Sequence, residues 1–131
     1  MAEIARAGTP AVLLALPLAA NRIGGLRAGE DIAAGDACHI SATREVYRSV
    51  GAVAGEAAEV RGFALAGARR GEAATLVFDV TLRYGDGLPP SDGLYLSETV
   101  PGGLADSPSP GGTEPVAFVV DATRIHVLQS E

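Results

Sequence analysis

The hydrophobic positions of this chain come in short runs that alternate with polar residues and end at turns. The clearest alternation lies at 75–83, where Leu76, Phe78, Val80 and Leu82 occupy every second position and most residues between them are polar. A period of two places the two sets on opposite faces of a β-strand. The segment therefore predicts one amphipathic strand, with Phe78 buried on its apolar face.

Shorter runs of the same kind are separated by turn sequences such as Gly35-Asp36, in which glycine accepts positive φ and aspartate bonds its own backbone. A Pro-Gly-Gly corner at 101–103 predicts a hairpin that closes one end of a sheet or projects towards a neighbour. A short helix is an alternative to a strand only at 51–59, and the glycines of that segment make the helix less favourable. The further predicted strands are 37–40, 46–50, 60–65, 94–97, 104–106, 116–120 and 125–128.

These patterns predict an all-β fold, a small β-barrel or β-sandwich with a β-tulip-like shape. The chain has 131 residues, of which 17 are Gly and 8 are Pro, which suits short strands joined by many turns. We divide it into an extended N-terminal arm, residues 1–25, and a β domain, residues 26–131. Pro10 and Pro17 oppose a helix in the arm, and Gly24-Gly25 ends it.

Composition and charge narrow the possible partners. The formal net charge is −6, all ten basic residues are Arg, and only Arg69 and Arg70 are adjacent. Binding to a phosphate backbone needs a concentrated basic surface, so we expect no nucleic-acid partner. The apolar run at 9–20 is shorter than the roughly 20 residues that span a bilayer, and the residues before it carry no net positive charge. We therefore expect no membrane association.

The residues that could carry chemistry are few. Cys38 and His39 are neighbours in a predicted strand and point to opposite faces, so they do not form a thiolate–imidazolium pair. His126 could approach Cys38 from another strand, but a buried structural thiol is the favoured interpretation. Two histidines and carboxylates scattered in turns give no metal-ligand spacing. We expect no catalytic residue, no metal site and no cofactor, and hence no enzyme.

Four motifs and a closing segment follow one another in an order that resembles small structural proteins of tailed bacteriophages. The motifs are GEDIAAGD at 29–36, VYRS at 46–49, GFALAGARRGEAATLV at 62–77 and YLSETVPGGL at 95–104, and the closing segment is VAFVVDATRIHVL at 116–128. The resemblance covers about residues 26–128. It is similar both to head decoration proteins, which cement the capsid, and to the β-modules of virion fibres.

The resemblance implies a structural virion protein on the capsid surface, bound to the major capsid protein and to further copies of itself, expected as a homotrimer. The arm is the expected adhesive element, because its apolar side chains cannot form a core of their own. Two alternatives stay open, a tail or fibre β-module and a non-viral β-barrel that binds a ligand or assists an enzyme. The expected partner-binding residues of the arm are Ile4, Val12, Leu13, Leu14, Leu16, Leu18 and Ile23.

Overall fold

The fold is built from eleven short β-strands within the residues that the structure, a computed structural model, describes, namely 3–4, 11–12, 22–90 and 93–128. The predicted all-β class is confirmed, and a closed barrel is present. A short 3-10 helix, Glu56–Ala58, lies within 51–59, the segment for which the sequence also allowed a helix. The strands are β1 (Ala11–Val12), β2 (Arg22–Ala28), β3 (Ala37–Ile40), β4 (Glu45–Arg48), β5 (Gly62–Ala64), β6 (Ala73–Val77), β7 (Val80–Arg83), β8 (Tyr95–Leu96), β9 (Leu104–Ala105), β10 (Ala117–Val119) and β11 (Arg124–Val127).

Five strands close into a barrel in the order β2-β4-β3-β5-β6, and β6 returns to pair with β2. Among the strand pairs of the described residues, only β2–β4 is parallel. The β2–β6 register shifts between Ile23 and Leu26, at the two glycines Gly24 and Gly25. Strand β2 thus runs across position 25, and the division into an arm and a β domain stays a prediction.

A second, antiparallel sheet packs beside the barrel in the order β1-β7-β11-β10. Its central pairing joins Leu82 of β7 to Ile125 of β11, and the next pairing joins Ile125 to Val119 of β10. The two-stranded hairpin β8–β9 is not paired with either sheet, but Leu94, the residue before β8, bridges to Ala117, the first residue of β10. Strands β1 and β10 are therefore the edges of the four-stranded sheet.

The chain buries two separate hydrophobic cores, and β6 contributes to both. Leu76 belongs to the core inside the barrel, whereas its neighbour Val77 belongs to the core between the barrel and the other strands. Both side chains are fully buried, so β6 is covered on both faces at its C-terminal end, whereas Ala73 at its start is exposed. The barrel core consists of Ala28, Ile32, Cys38, Val46, Ala64, Ala68, Ala74 and Leu76. The second core consists of Ala37, Val60, Phe63, Val77, Val80, Leu82, Tyr84, Leu88, Leu94, Leu96, Leu104, Ala117, Ile125 and Val127.

The prediction of one continuous strand over 75–83 is wrong. Strand β6 ends at Val77 and β7 begins at Val80, because the chain leaves the barrel here and enters the second sheet. Asp79 adopts a left-handed backbone conformation with φ of 54°, which ends the β-pairing. Phe78 lies at this crossing and is only partly buried, so it is not the core residue that the alternation indicated.

The hairpin predicted around Pro101-Gly102-Gly103 is present, and its tip docks on the barrel. The Gly102 carbonyl accepts a hydrogen bond from the Ala37 N–H at 3.0 Å, and the Gly102 N–H donates to the Ser49 carbonyl at 2.7 Å. Gly102 has a φ of +75°, and a Cβ added to it would lie 2.7 Å from the Asp36 carboxylate. The hairpin therefore closes one end of the barrel, which is the first of the two roles that the sequence suggested.

Candidate functional site: the N-terminal segment and the sheet it joins

The N-terminal segment adds a strand to this chain's own second sheet. Ala11 and Val12 form β1, which pairs antiparallel with β7 through the partners Ala11–Arg83 and Val12–Leu82. This pairing covers the edge of β7 that β11 leaves open. The contact is made through main-chain groups, which is how extended segments commonly bind the edge of a sheet.

A second contact holds the beginning of the chain on the β8–β9 hairpin. Glu3 forms an isolated antiparallel bridge with Ala105, and the Ile4 N–H donates to the Leu104 carbonyl at 3.2 Å. The Thr99 hydroxyl donates to the Glu3 carboxylate at 3.0 Å. The Ile4 side chain packs against the second core. The segment is thus anchored by backbone pairing and by one apolar side chain.

The predicted arm residues fall into two groups. Ile4 packs on the second core, Val12 lies in β1, and Ile23 lies in β2 opposite Leu76. The remaining four lie outside the described residues, and these are Leu13, Leu14, Leu16 and Leu18. That these seven side chains bind a partner protein stays a prediction.

The outer face of the second sheet carries two exposed apolar side chains on its edge strand β10 and the residue after it. Phe118 is 37% exposed and Val120 is 43% exposed. The Phe118 ring lies beside the His126 imidazole of β11, with 5.4 Å between the ring centroids. Isolated apolar side chains are common on protein surfaces, so this pair alone defines no binding site.

A polar cluster on the same face joins the crossing between the two sheets to β11. His126 Nε2 lies 3.1 Å from the Asp79 carboxylate, and its Nδ1 lies 3.1 Å from the Thr81 hydroxyl. This is the order of groups in a hydrolase triad, but the Asp79 side chain is 59% exposed, and water competes for it. Neither cavity described below is lined by these residues. The arrangement can fix the backbone at Asp79.

Cys38 is buried, as the sequence predicted, and its thiol donates to the Asp36 carbonyl at 3.3 Å. His39 points away from the barrel interior, stacks on Tyr47 with 6.0 Å between ring centroids, and lies with its Nδ1 3.4 Å from the Ser49 hydroxyl. Cys38 belongs to a barrel strand and His126 to the second sheet, so the two are parts of different layers. The structure therefore gives Cys38 a packing role.

Two cavities lie among the described residues, and one of them borders the N-terminal segment. One of about 350 Å³ is bordered by Glu3 and Ile4 on one side and by Asp36, Tyr84 and Leu104 on the other. The other, of about 280 Å³, lies between residues 58–61 and 111–116. Within the described ranges no three His, Cys, Asp or Glu side chains come together as metal ligands.

The β10–β11 turn is held by one carboxylate. Asp121 accepts hydrogen bonds from the backbone N–H groups of Thr123 and Arg124, and it forms an ion pair with the Arg124 guanidinium at 2.6 Å. Arg124 lies directly opposite Arg83 in the sheet, and like charges in that position repel. Asp121 offsets this repulsion while it shapes the turn.

The Arg124 guanidinium, and after it the Thr123 N–H, lower the pKa of Asp121 from its ordinary value of 3.8 to about 2. Because the folded-state pKa is the lower one, the carboxylate stabilises the fold above pH 3.8, and this contribution is lost as the pH falls through 2. We expect Arg124→Gln to raise the pKa of Asp121, but not to its ordinary value, since the backbone donors remain. An NMR titration of the Asp121 carboxyl carbon measures this, with Arg61→Gln as the control. An equal pKa in both variants would contradict the assigned cause.

Comparison with known proteins finds no family model that matches the chain and no curated protein similar to it. Among the residues that the structure describes, no helix has the length and hydrophobicity needed to cross a membrane. The structural observations above are therefore the basis for any assignment of function.

Sequence reasoning missed two parts of this region. The cluster of Asp79, Thr81 and His126 joins residues more than forty positions apart, and no local spacing indicates it. The pairing of Ala11 and Val12 with β7 was missed because the apolar run around them suggested contact with another protein. Apolar residues suit contact with β7 of the same chain as well as contact with another protein. Only the strand register in the structure shows that they pair with β7.

Proposed function

We propose that this protein is a structural virion protein, a head decoration protein that binds the outer surface of a phage capsid and stabilises it. The observation that carries the proposal is the N-terminal segment, which attaches by strand pairing at β7 and by a bridge at β9. A segment that binds sheet edges through main-chain groups can also bind an edge on a neighbouring protein. The order of motifs from residue 29 to residue 104 supports the same class.

The remainder of the domain suits a structural role. Strands and turns supply shape, and two cores give a small chain a rigid body to which neighbours can attach. Its net charge of −6 disfavours contact with packaged nucleic acid through a phosphate backbone. The proposed partners are the major capsid protein and further copies of this chain as a homotrimer, without a cofactor, a membrane or a nucleic acid.

The role proposed for the arm rests on apolar burial. Each large apolar side chain that the arm buries on a partner contributes roughly 1.5–3 kcal/mol before the cost of ordering is subtracted. We expect a chain that lacks residues 1–20 to lose its attachment to particles. We also expect particles without the protein to keep their shape but to lose thermal stability. The comparison is with full-length protein carrying Val53→Ser, a change at a side chain that is 70% exposed and outside the arm.

The experiment locates the protein on phage particles encoded by the same genome. Purified particles are analysed by mass spectrometry and labelled with a gold-conjugated antibody, and binding of both variants to heads that lack the protein is measured by co-sedimentation. Label on the head surface, with binding by Val53→Ser and none by the truncated chain, is the expected result. Label on the tail would overturn the proposal in favour of a tail or fibre module. Absence from particles would favour the non-viral alternative.

A further inference from the structure

We infer that the cavity bordered by Glu3 and Ile4 binds an arginine side chain carried by another protein. The cavity has a volume of about 350 Å³ and lies where the N-terminal segment, the β8–β9 hairpin and the turn before β3 meet. This volume is at the lower end of the roughly 300–1,000 Å³ that ligand pockets have. The guanidinium group follows from the walls of the cavity, and only its origin in a neighbouring virion protein rests on the proposed function.

The charge of the walls favours a cation. Glu3 and Asp36 both line the cavity, and among the described residues that line it none is basic. Arg48 interacts with Asp36 from outside the lining, but its guanidinium is paired with Glu30 at 3.2 Å. Asp36 is only 4% exposed, and a buried carboxylate is screened less by water and salt than an exposed one. A cation in the cavity is therefore attracted by both carboxylates, whereas an anion is repelled.

Much of the remaining wall is apolar. Ile4, Val100 and Leu104 line the cavity beside the two acidic residues, and Val100 is 45% exposed at the rim. An arginine side chain has an apolar stem of methylene groups and a charged end, so its stem covers such a wall while the guanidinium reaches the carboxylates. A metal ion would need more oxygen ligands than these two side chains supply and would gain nothing from the apolar wall.

The walls are held in place by contacts within the chain. The Asp36 carboxylate accepts a hydrogen bond from the Ala33 N–H at 2.8 Å, and the Ile4 N–H donates to the Leu104 carbonyl at 3.2 Å. The hairpin tip is fixed on the barrel through Gly102. Walls that are already ordered lower the entropic cost of binding, so a small ligand group can bind measurably.

An arginine suits two carboxylates better than a lysine does. The guanidinium has five N–H donors in a fixed fork, and it is more weakly hydrated than an ammonium group. Leaving water for the cavity therefore costs arginine less. Glu3 and Val100 are both exposed, so the rim is open to a side chain that projects from another protein surface. On a phage head, that surface would be a capsid subunit.

The test measures binding of the peptide acetyl-Gly-Arg-Gly-amide to the full chain by NMR titration. The matched control peptide carries citrulline in place of arginine, because citrulline has nearly the same shape without the charge. We expect the arginine peptide to bind about tenfold more tightly, since hydrogen bonds between charged groups are the stronger ones. We also expect it to shift the methyl signals of Ile4, Val100 and Leu104, while the exposed Val53 outside the cavity stays unchanged.

Glu3→Gln tests the assigned charge. The Gln amide oxygen can still accept the Thr99 hydroxyl, which Glu3 accepts at 3.0 Å, so the segment should stay docked. We expect the affinity for the arginine peptide to fall by about 2–5-fold, the range of an exposed ion pair. The control is Glu56→Gln, at an exposed position that does not line the cavity, and it should leave the affinity unchanged.

Absence of binding, equal binding of the arginine and citrulline peptides, or signal shifts centred outside the cavity would overturn the inference. An unchanged affinity in Glu3→Gln would overturn it as well. Methylguanidinium is titrated as a free small molecule for comparison. If methylguanidinium binds and the peptide does not, a side chain of another protein cannot reach the cavity, and the assigned occupant is wrong. The titration uses isolated protein, so its outcome is separate from the location on particles.

Discussion

Phe63→Ala is expected to lower the free energy of unfolding by about 3–5 kcal/mol, the cost of removing a fully buried aromatic side chain. Phe63 lies in β5, has no exposed surface and belongs to the second core. Its strand pairs with Ala37 on one side and Val77 on the other, so its neighbours are held in place. These neighbouring residues cannot move inward to fill the cavity that the substitution leaves, so we expect the full loss in the free energy of unfolding.

Urea denaturation followed by circular dichroism measures this change. Phe118→Ala removes the same atoms from a side chain that is 37% exposed and packs beside His126, so a smaller loss of about 1–2 kcal/mol is expected. If Phe63→Ala proves too unstable to purify, Phe63→Leu should cost less than Phe63→Ala and remain measurable, because it leaves a smaller cavity. Similar losses for Phe63→Ala and Phe118→Ala would mean that the second core does not form around Phe63.

Gly102→Ala is expected to cost about 2–5 kcal/mol, from left-handed strain of about 1–2 kcal/mol and overpacking of about 1–3 kcal/mol. The strain follows from a φ of +75°, and the overpacking from the Asp36 carboxylate 2.7 Å from the added Cβ. Asp36 cannot easily move aside, because it is buried and accepts a hydrogen bond from the Ala33 N–H at 2.8 Å. The hairpin tip would have to lift away from the barrel.

Gly87→Ala is the matched control, since Gly87 has a φ of +70° and no atom within 4 Å of an added Cβ. It should show the left-handed strain of about 1–2 kcal/mol and nothing further. The difference between the two variants, measured by thermal or urea unfolding, therefore isolates the docking of the hairpin tip. Equal losses would show that the tip does not rest on Asp36.

Much of the fold was predictable because its signals are local. Strand β3 has the predicted bounds 37–40, and the hairpin around Pro101-Gly102-Gly103 forms where the turn chemistry required one. Alternation and turn residues act over a few positions, so a single sequence displays them. The all-β class follows from the density of such signals.

The crossing from the barrel to the second sheet at Phe78 and Asp79 could not be predicted from local sequence patterns. Alternation continues through the segment, but the two halves serve different sheets, and Leu76 and Val77 are buried on opposite faces. No residue at 78–79 is glycine or proline, so nothing in the sequence signals the break. The apolar run in the arm is ambiguous for a related reason, since burial on this chain and burial on a partner need the same side chains. The candidate site could therefore be placed in the arm from the sequence, but its attachment to β7 could not.

The burial of Leu76 and Val77 on opposite faces of β6 is expected to determine how the molecule unfolds. A strand that supplied only one layer could stay folded while the other layer melted. Loss of β6 opens the barrel and at the same time removes Val77 from the second core, so we expect neither layer to stay folded without the other. The barrel and the second sheet are therefore expected to unfold together in a single transition, and a load applied to one layer to be carried by both.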